Sequence, residues 1–138
     1  MLEQIRETAD FLKSRLNEPP KSGMITGTGL GELTERISAD FRIPYEEIPN
    51  FPSSTVEGHR GMLAAGNIAG RSVIAMEGRF HLYEGYSPQE VTFPVRVMAE
   101  LGVKYLLMSS AAGGLNPQFE RGGLMILTDH INLKGTNP

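Results

Sequence analysis

The chain has 138 residues, 40% hydrophobic and 21% charged, with thirteen Lys and Arg against sixteen Asp and Glu for a net charge of -3. That is one domain's worth of sequence with enough apolar side chains for a core, and the acidic balance excludes the basic footprint of a nucleic-acid binder. No apolar run approaches the roughly 20 residues that a membrane span requires, and the lack of any cysteine excludes disulfides, thiolate nucleophiles and zinc–thiolate sites. The first residues, Met1-Leu2-Glu3-Gln4-Ile5-Arg6-Glu7, are charged from the third position and carry no apolar segment of the signal-peptide kind, so a cytoplasmic protein is expected.

Residues 2–16 read as an amphipathic helix, because Leu2, Ile5, Ala9, Leu12 and Leu16 recur at spacings of three and four. Asn17-Glu18-Pro19-Pro20 stops it, since proline neither donates the helical bond nor permits helix before itself. Met24-Ile25-Thr26 is a short apolar strand that runs into Gly27-Thr28-Gly29-Leu30-Gly31, and a short helix over 32–37 follows. Pro44, Pro49 and Pro52, with Gly58 and Gly61, mark residues 40–61 as extended or looping chain with a short strand or two. The apolar runs 62–65 and 73–76, joined through Gly66-Asn67-Ile68-Ala69-Gly70-Arg71, predict a hairpin or two adjacent strands.

Ser87-Pro88-Gln89-Glu90 has the composition of a helix start: serine at the N-cap, proline in the first turn and glutamate placed to close a capping box. Val91, Pro94, Val95, Met98 and Leu101 form the expected buried stripe, Pro94 bends the helix, and Gly102 ends it. Residues 105–108 predict another buried strand, running into Ser109-Ser110-Ala111-Ala112-Gly113-Gly114. A last strand is expected over 124–128, before Asp129-His130. Helices alternate with strands, and two strands end in loops of very small residues. The pattern predicts an α/β fold with a mixed or mostly parallel β-sheet flanked by helices, in which ligands bind beyond the carboxyl ends of the strands.

Several stretches could carry chemistry. Gly27-Thr28-Gly29-Leu30-Gly31 lies between a strand and a helix, where bare backbone and a threonine hydroxyl suit an anion equally as well as a tight turn. Glu32 departs from the dinucleotide fingerprint, and the Gly-Lys-Ser/Thr of a P-loop is absent. In Arg79-Phe80-His81-Leu82-Tyr83-Glu84-Gly85-Tyr86, residues 79, 81 and 83 alternate, so extended chain would present a guanidinium, an imidazole and a phenol on one side. A solvated strand with scattered polar groups is the plainer alternative. His59 stands between Gly58 and Arg60-Gly61, and His130 follows Asp129. The three histidines have no ligand spacing, so no metal site is expected. The Ser109-to-Gly114 loop offers bare backbone N–H groups and room for a flat ring, or simply a close strand–helix contact.

Together these stretches are more specific than any alone. The chain resembles the N-terminal half of the trimeric, inosine- and guanosine-cleaving purine nucleoside phosphorylases. The resemblance runs in order over positions 22–138 through the first glycine loop, Ile48-Pro49-Asn50-Phe51-Pro52, Gly58-His59, residues 78–86, Val91-Thr92-Phe93-Pro94-Val95-Arg96-Val97, Ala111-Ala112-Gly113-Gly114-Leu115-Asn116-Pro117 and Asp129-His130-Ile131-Asn132-Leu133. It implies a single nucleoside phosphorylase domain, of which residues 1–138 are the N-terminal portion. It also implies cleavage of purine nucleosides by inorganic phosphate to free base and ribose 1-phosphate, with phosphate as co-substrate and no cofactor.

The phosphate cradle it implies is Thr28, His59, Arg79, His81 and the backbone N–H of Ala111. Tyr83 would meet ribose, and the backbone of Ala112 and Gly113 would lie along ribose and base. The family usually has serine where this chain has Thr28, and commonly asparagine where it has Ser110. Family members are about twice as long, and the resemblance places the purine-binding and protonating residues beyond position 138. The chain is thus expected to be inactive alone and to self-associate, the family's homo-trimer being altered. The alternatives are a non-catalytic phosphate- or nucleoside-binding module and an enzyme like the methylthioadenosine phosphorylases, which share the Gly-Thr-Gly.

Overall fold

The computed structural model describes residues 1–27, 30–53 and 61–138. Helix α1 (Leu2–Lys13) leads to strand β1 (Ser22–Thr26), a short helix α2 (Gly31–Glu35) and β2 (Ser38–Pro44), which ends in a 3-10 turn at Tyr45–Glu47. Strands β3 (Met62–Ile68) and β4 (Arg71–Glu77) follow, then a second 3-10 turn at Leu82–Glu84, helix α3 (Pro88–Glu100) and β5 (Tyr105–Met108). The strands form one sheet in the order β2-β3-β4-β1-β5. Strands β2, β3 and β4 are antiparallel, whereas β1 runs parallel to both β4 and β5. The mixed sheet is the expected one.

Period-two alternation divides the sheet's side chains between two layers. Ile25, Leu63, Ala65, Ile74 and Met76 face α1 and α3, which contribute Ile5, Ala9 and Leu12, and Phe93, Val97, Met98 and Leu101. Met24, Ala64, Val73 and Ala75 face the other way, together with Ile37 just beyond α2. The hairpin between β3 and β4 turns on Ala69 and Gly70, both at positive φ, 49° and 75°. Two such residues fit a turn whose twist matches that of the flanking strands.

The helices form where the sequence points, with different edges. Helix α1 stops at Lys13, leaving Leu2 exposed and Leu16 only partly buried against the core. Thr8 is buried in their place, its hydroxyl 2.7 Å from the Pro49 carbonyl. At α3 the capping box is complete: Glu90 N–H donates to Ser87 Oγ (3.3 Å) and Ser87 N–H donates to Glu90 Oε2 (2.8 Å). Its buried stripe is Phe93, Pro94, Val97, Met98 and Leu101, with Val91 and Val95 only half-buried. The expected stripe is therefore rotated toward Phe93 and Val97, which are buried against the sheet.

Two expectations fail at the C-terminal side. Strand β5 forms over the predicted residues, but Tyr105, Leu106, Leu107 and Met108 are all exposed. It is an outer strand with β1 as its one neighbour in the sheet, and no regular element among the described residues lies over it. The strand expected over 124–128 does not form, and residues 109–138 carry neither helix nor strand. Its apolar run pairs with no strand of the described sheet, and its side chains are exposed.

Leu63, at 1% exposure in the centre of the sheet, gives a direct test of the core. Leu63→Ala should cost about 2–5 kcal/mol, the range for truncating a buried leucine, read as a shift in the urea unfolding midpoint at constant slope. The capping box gives a second test. The Ser87 hydroxyl, then the Ser87 backbone N–H, bonds to the Glu90 carboxylate and holds it below the usual glutamate range. This contribution is present above the carboxyl's unfolded value and is lost as pH falls through the lowered folded one. Ser87→Ala should lower the melting temperature at neutral pH and flatten its decline in the acid range.

Candidate active site

The parallel strands β4, β1 and β5 deliver three chain segments to one end of the sheet: the residues after Glu77, after Thr26 and after Met108. The chain leaving β1 enters α2 on one face, and the chain leaving β4 returns to β5 through α3 on the other. A crevice beyond the carboxyl ends of strands is where such sheets bind ligands.

The ends of β1 and β5 are joined directly. Ser109 N–H donates to the Ile25 carbonyl (3.1 Å), and Gly27 N–H donates to Ser109 Oγ (3.0 Å). A Cβ at Gly27 would lie 2.7 Å from the Ser109 carbonyl oxygen and 3.1 Å from Arg79 Nη1. Glycine is required there by close approach.

Arg79 reaches over this junction, its Nη1 donating to the same Ser109 carbonyl at 2.6 Å. Its Nε–H donates to His81 Nε2 at 3.2 Å. His81 Nδ1 lies 2.7 Å from Glu84 Oε1, and that oxygen also accepts the His81 backbone N–H at 2.8 Å. A carboxylate beside Nδ1 fixes a proton there, which leaves the Nε2 lone pair to accept from Arg79. When His81 also carries a proton on Nε2, both it and Arg79 present donors, a pair suited to an anion. The Tyr83 ring stacks on His81, centroids 4.6 Å apart and planes 18° apart, and is 76% exposed. It is a free aromatic wall beside the donors.

The cluster arises from a turn, not from an extended strand. The alternation of 79, 81 and 83 holds only through His81. A 3-10 turn at Leu82–Glu84 then brings Tyr83 back over the imidazole and Glu84 beneath it, and Gly85, at φ 95°, closes the turn. Phe80 is the anchor. It is buried against Tyr45 and Tyr86, with ring centroids 5.2 and 5.8 Å away. Tyr45 in turn donates its hydroxyl to the Gly78 carbonyl at 2.9 Å. Burial, with the nearby Glu77 charge second, pushes the Tyr45 phenol well above its ordinary value, so it remains a proton donor to that carbonyl.

Of the residues singled out from sequence, Arg79, His81 and Tyr83 are brought together. Ala111, Ala112 and Gly113 are exposed on the chain just past Ser109, a few residues from the cluster and without a regular element. Thr28 and His59 lie outside the described residues. Two site residues escaped the sequence reading. Glu84 stands three residues after His81, a spacing that a single turn brings into contact. Ser109 was read only as part of a small-residue loop, and nothing local marks it. Among the described residues no group of His, Asp and Glu could hold a metal ion, and His130 N–H bonds to Asp129 Oδ1 on the exposed C-terminal stretch.

The family model of the phosphorylase superfamily matches residues 21–138. The chain belongs to that superfamily. It is 56% identical over all 138 residues to purine nucleoside phosphorylase 1 of Bacillus subtilis, covering 51% of that protein, and 52% identical over 133 residues to the purine nucleoside phosphorylase of Rattus norvegicus, covering 96% of this chain and 46% of that one. Among solved structures, isoform 2 of purine nucleoside phosphorylase from Schistosoma mansoni, in complex with cytosine and ribose-1-phosphate, is 48% identical. It superimposes with a TM-score of 0.79 over 87% of this chain and 42% of its own. The chain thus spans about half the length of the relatives it matches.

The Gly27–Ser109 junction gives a structural prediction for the site. Gly27→Ala should push the ends of β1 and β5 apart and cost about 1–3 kcal/mol, the range for overpacking a tight contact, measured by urea unfolding. It should also increase hydrogen exchange at the Ser109 amide.

Proposed function

We propose that this chain supplies the phosphate- and ribose-binding part of an enzyme that cleaves purine nucleosides with inorganic phosphate, releasing free base and ribose 1-phosphate. The observation that carries this reading is the Arg79–His81–Glu84 cluster at the carboxyl ends of β4, β1 and β5, with Tyr83 stacked beside it. The likeness to purine nucleoside phosphorylases, one of them solved with ribose-1-phosphate, supports it.

In this reading Thr28, His59, Arg79, His81 and the Ala111 N–H hold phosphate. Tyr83 meets the ribose, and the backbone of Ala112 and Gly113 runs along ribose and base. A phosphate oxygen forms the new bond to the anomeric carbon as the glycosidic C–N bond breaks, and that bond's electron pair leaves with the purine nitrogen. As the ribose becomes cationic, an anion held beneath it by fixed donors stabilises the developing charge without reorganisation. Glu84, by holding the Nδ1 proton, orients His81 toward the anion. Phosphate is the sole co-substrate and the reaction calls for no cofactor. A cytoplasmic homo-oligomer completes the proposal, supported by the exposed apolar side chains of the outer strand β5, since an open strand edge favours association.

Calorimetric titration with inorganic phosphate and with ribose 1-phosphate tests the reading. Saturable phosphate binding is expected, competitive with ribose 1-phosphate, and weakened at least about ten-fold by Arg79→Ala, the loss of one charge-assisted donor. Tyr83→Ala should weaken ribose 1-phosphate and leave phosphate affinity unchanged. Equal loss of both ligands would remove Tyr83 from the ribose site, and no phosphate binding by the parent chain would overturn the proposal.

A further inference from the structure

Glu77 ends β4 two residues before Arg79, and its side chain is only 4% exposed. A buried carboxylate is costly unless cations and hydrogen bonds compensate it. It also lies two residues before a cluster read as binding an anion, whose field it opposes.

Arg42 on β2 answers it from across the intervening strand. The register sets Arg42 beside Ala64 of β3, and Glu77 beside Met62 of the same strand, so the guanidinium crosses β3 diagonally. Its Nη1 ion-pairs with Glu77 Oε1, and its Nη2 donates to the Thr34 carbonyl at 2.7 Å. Thr34 belongs to α2, the helix that opens directly after the first glycine loop. One side chain therefore ties the end of β4, two residues before Arg79, to the helix behind that loop, and it brings a positive charge to the buried carboxylate. Tyr45, also close to Glu77, stays protonated by burial and donates to the Gly78 carbonyl.

We propose that the Arg42–Glu77 pair is a tuning element of the anion site: Arg42 offsets the carboxylate that the fold buries two residues before Arg79, so that the field at Arg79 and His81 stays positive. The inference rests on the reading of that cluster as a phosphate site. Both residues act through the site's electrostatics and neither touches the ligand.

The two signs of the pair make the test specific. Phosphate affinity is measured by calorimetry, at fixed pH and low ionic strength, for the parent chain, Glu77→Gln, Arg42→Met and the double variant. Glu77→Gln leaves Arg42 held by the Thr34 carbonyl with its charge uncancelled, so phosphate should bind about three- to ten-fold more tightly. That is the order of size of a screened unit-charge effect at a partly buried site. Arg42→Met should weaken binding by a similar factor, and the double variant should return to within about two-fold of the parent.

A purely structural clamp predicts weaker binding whenever either partner is lost, so Glu77→Gln binding phosphate no better than the parent overturns the proposal. Should Arg42→Met fail to fold, the Glu77→Gln result decides alone. Parent chain that binds no phosphate overturns the site reading and this inference together, whereas parent binding with an unresponsive Glu77→Gln overturns this inference only.

Discussion

The Arg79 guanidinium donates to the Ser109 carbonyl across the end of β1, and it can do so only because residue 27 has no side chain. The contact draws three segments, distant in sequence, into one surface: residue 27 after β1, residue 79 after β4 and residue 109 after β5. Parallel pairing brings the three carboxyl ends to the same height. The missing Cβ lets them close, and an arginine held by one carbonyl keeps its Nε–H on His81. The rest of the site is hung on this junction.

Burial, more than polarity, then decides where the polar groups point. Phe80 is driven into the core against Tyr45 and Tyr86. Its two neighbours in sequence are thereby turned away from the core. The 3-10 turn that follows, closed by Gly85 at positive φ, recruits Glu84 under His81 and Tyr83 over it, so one apolar anchor and one turn order four candidate site side chains. The hydrogen-bonded chain from Arg79 through His81 to Glu84 is a consequence of where the hydrophobic residue between them had to go.

Much of this was legible beforehand, for identifiable reasons. The capping box at Ser87 and Glu90, the hairpin and β5 are local: their signals lie within a few residues of one another, and side-chain chemistry alone carries them. The companionship of Arg79, His81 and Tyr83 was also visible, but through the wrong geometry. Alternation points to a strand where the chain makes a turn, which Gly85 closes at φ 95°. What stayed hidden is non-local. Ser109 matters through β1, eighty-two residues away, and Arg42 meets Glu77 only because β3 lies between their strands. The exposure of β5 and the unformed strand over 124–128 belong to the same class, since an apolar tetrapeptide reads as buried whether or not the fold brings a layer to cover it.

On the proposed reading of Arg79 and His81 as an anion site, the ion pair shows why such long-range partners would matter to it. A buried carboxylate near an anion site is a conflict that hydrophobic packing cannot resolve, for packing lowers the dielectric and sharpens the repulsion. Resolving it takes an opposite charge placed on a neighbouring element and held there by a second bond, and Arg42, pinned to the Thr34 carbonyl, has that form. The sheet therefore serves two ends at once. Its carboxyl edge gathers the donors that face outward, and its buried side gathers the charges that set the field those donors work in. Substitutions that leave every outward-facing residue intact can then still alter what the site binds.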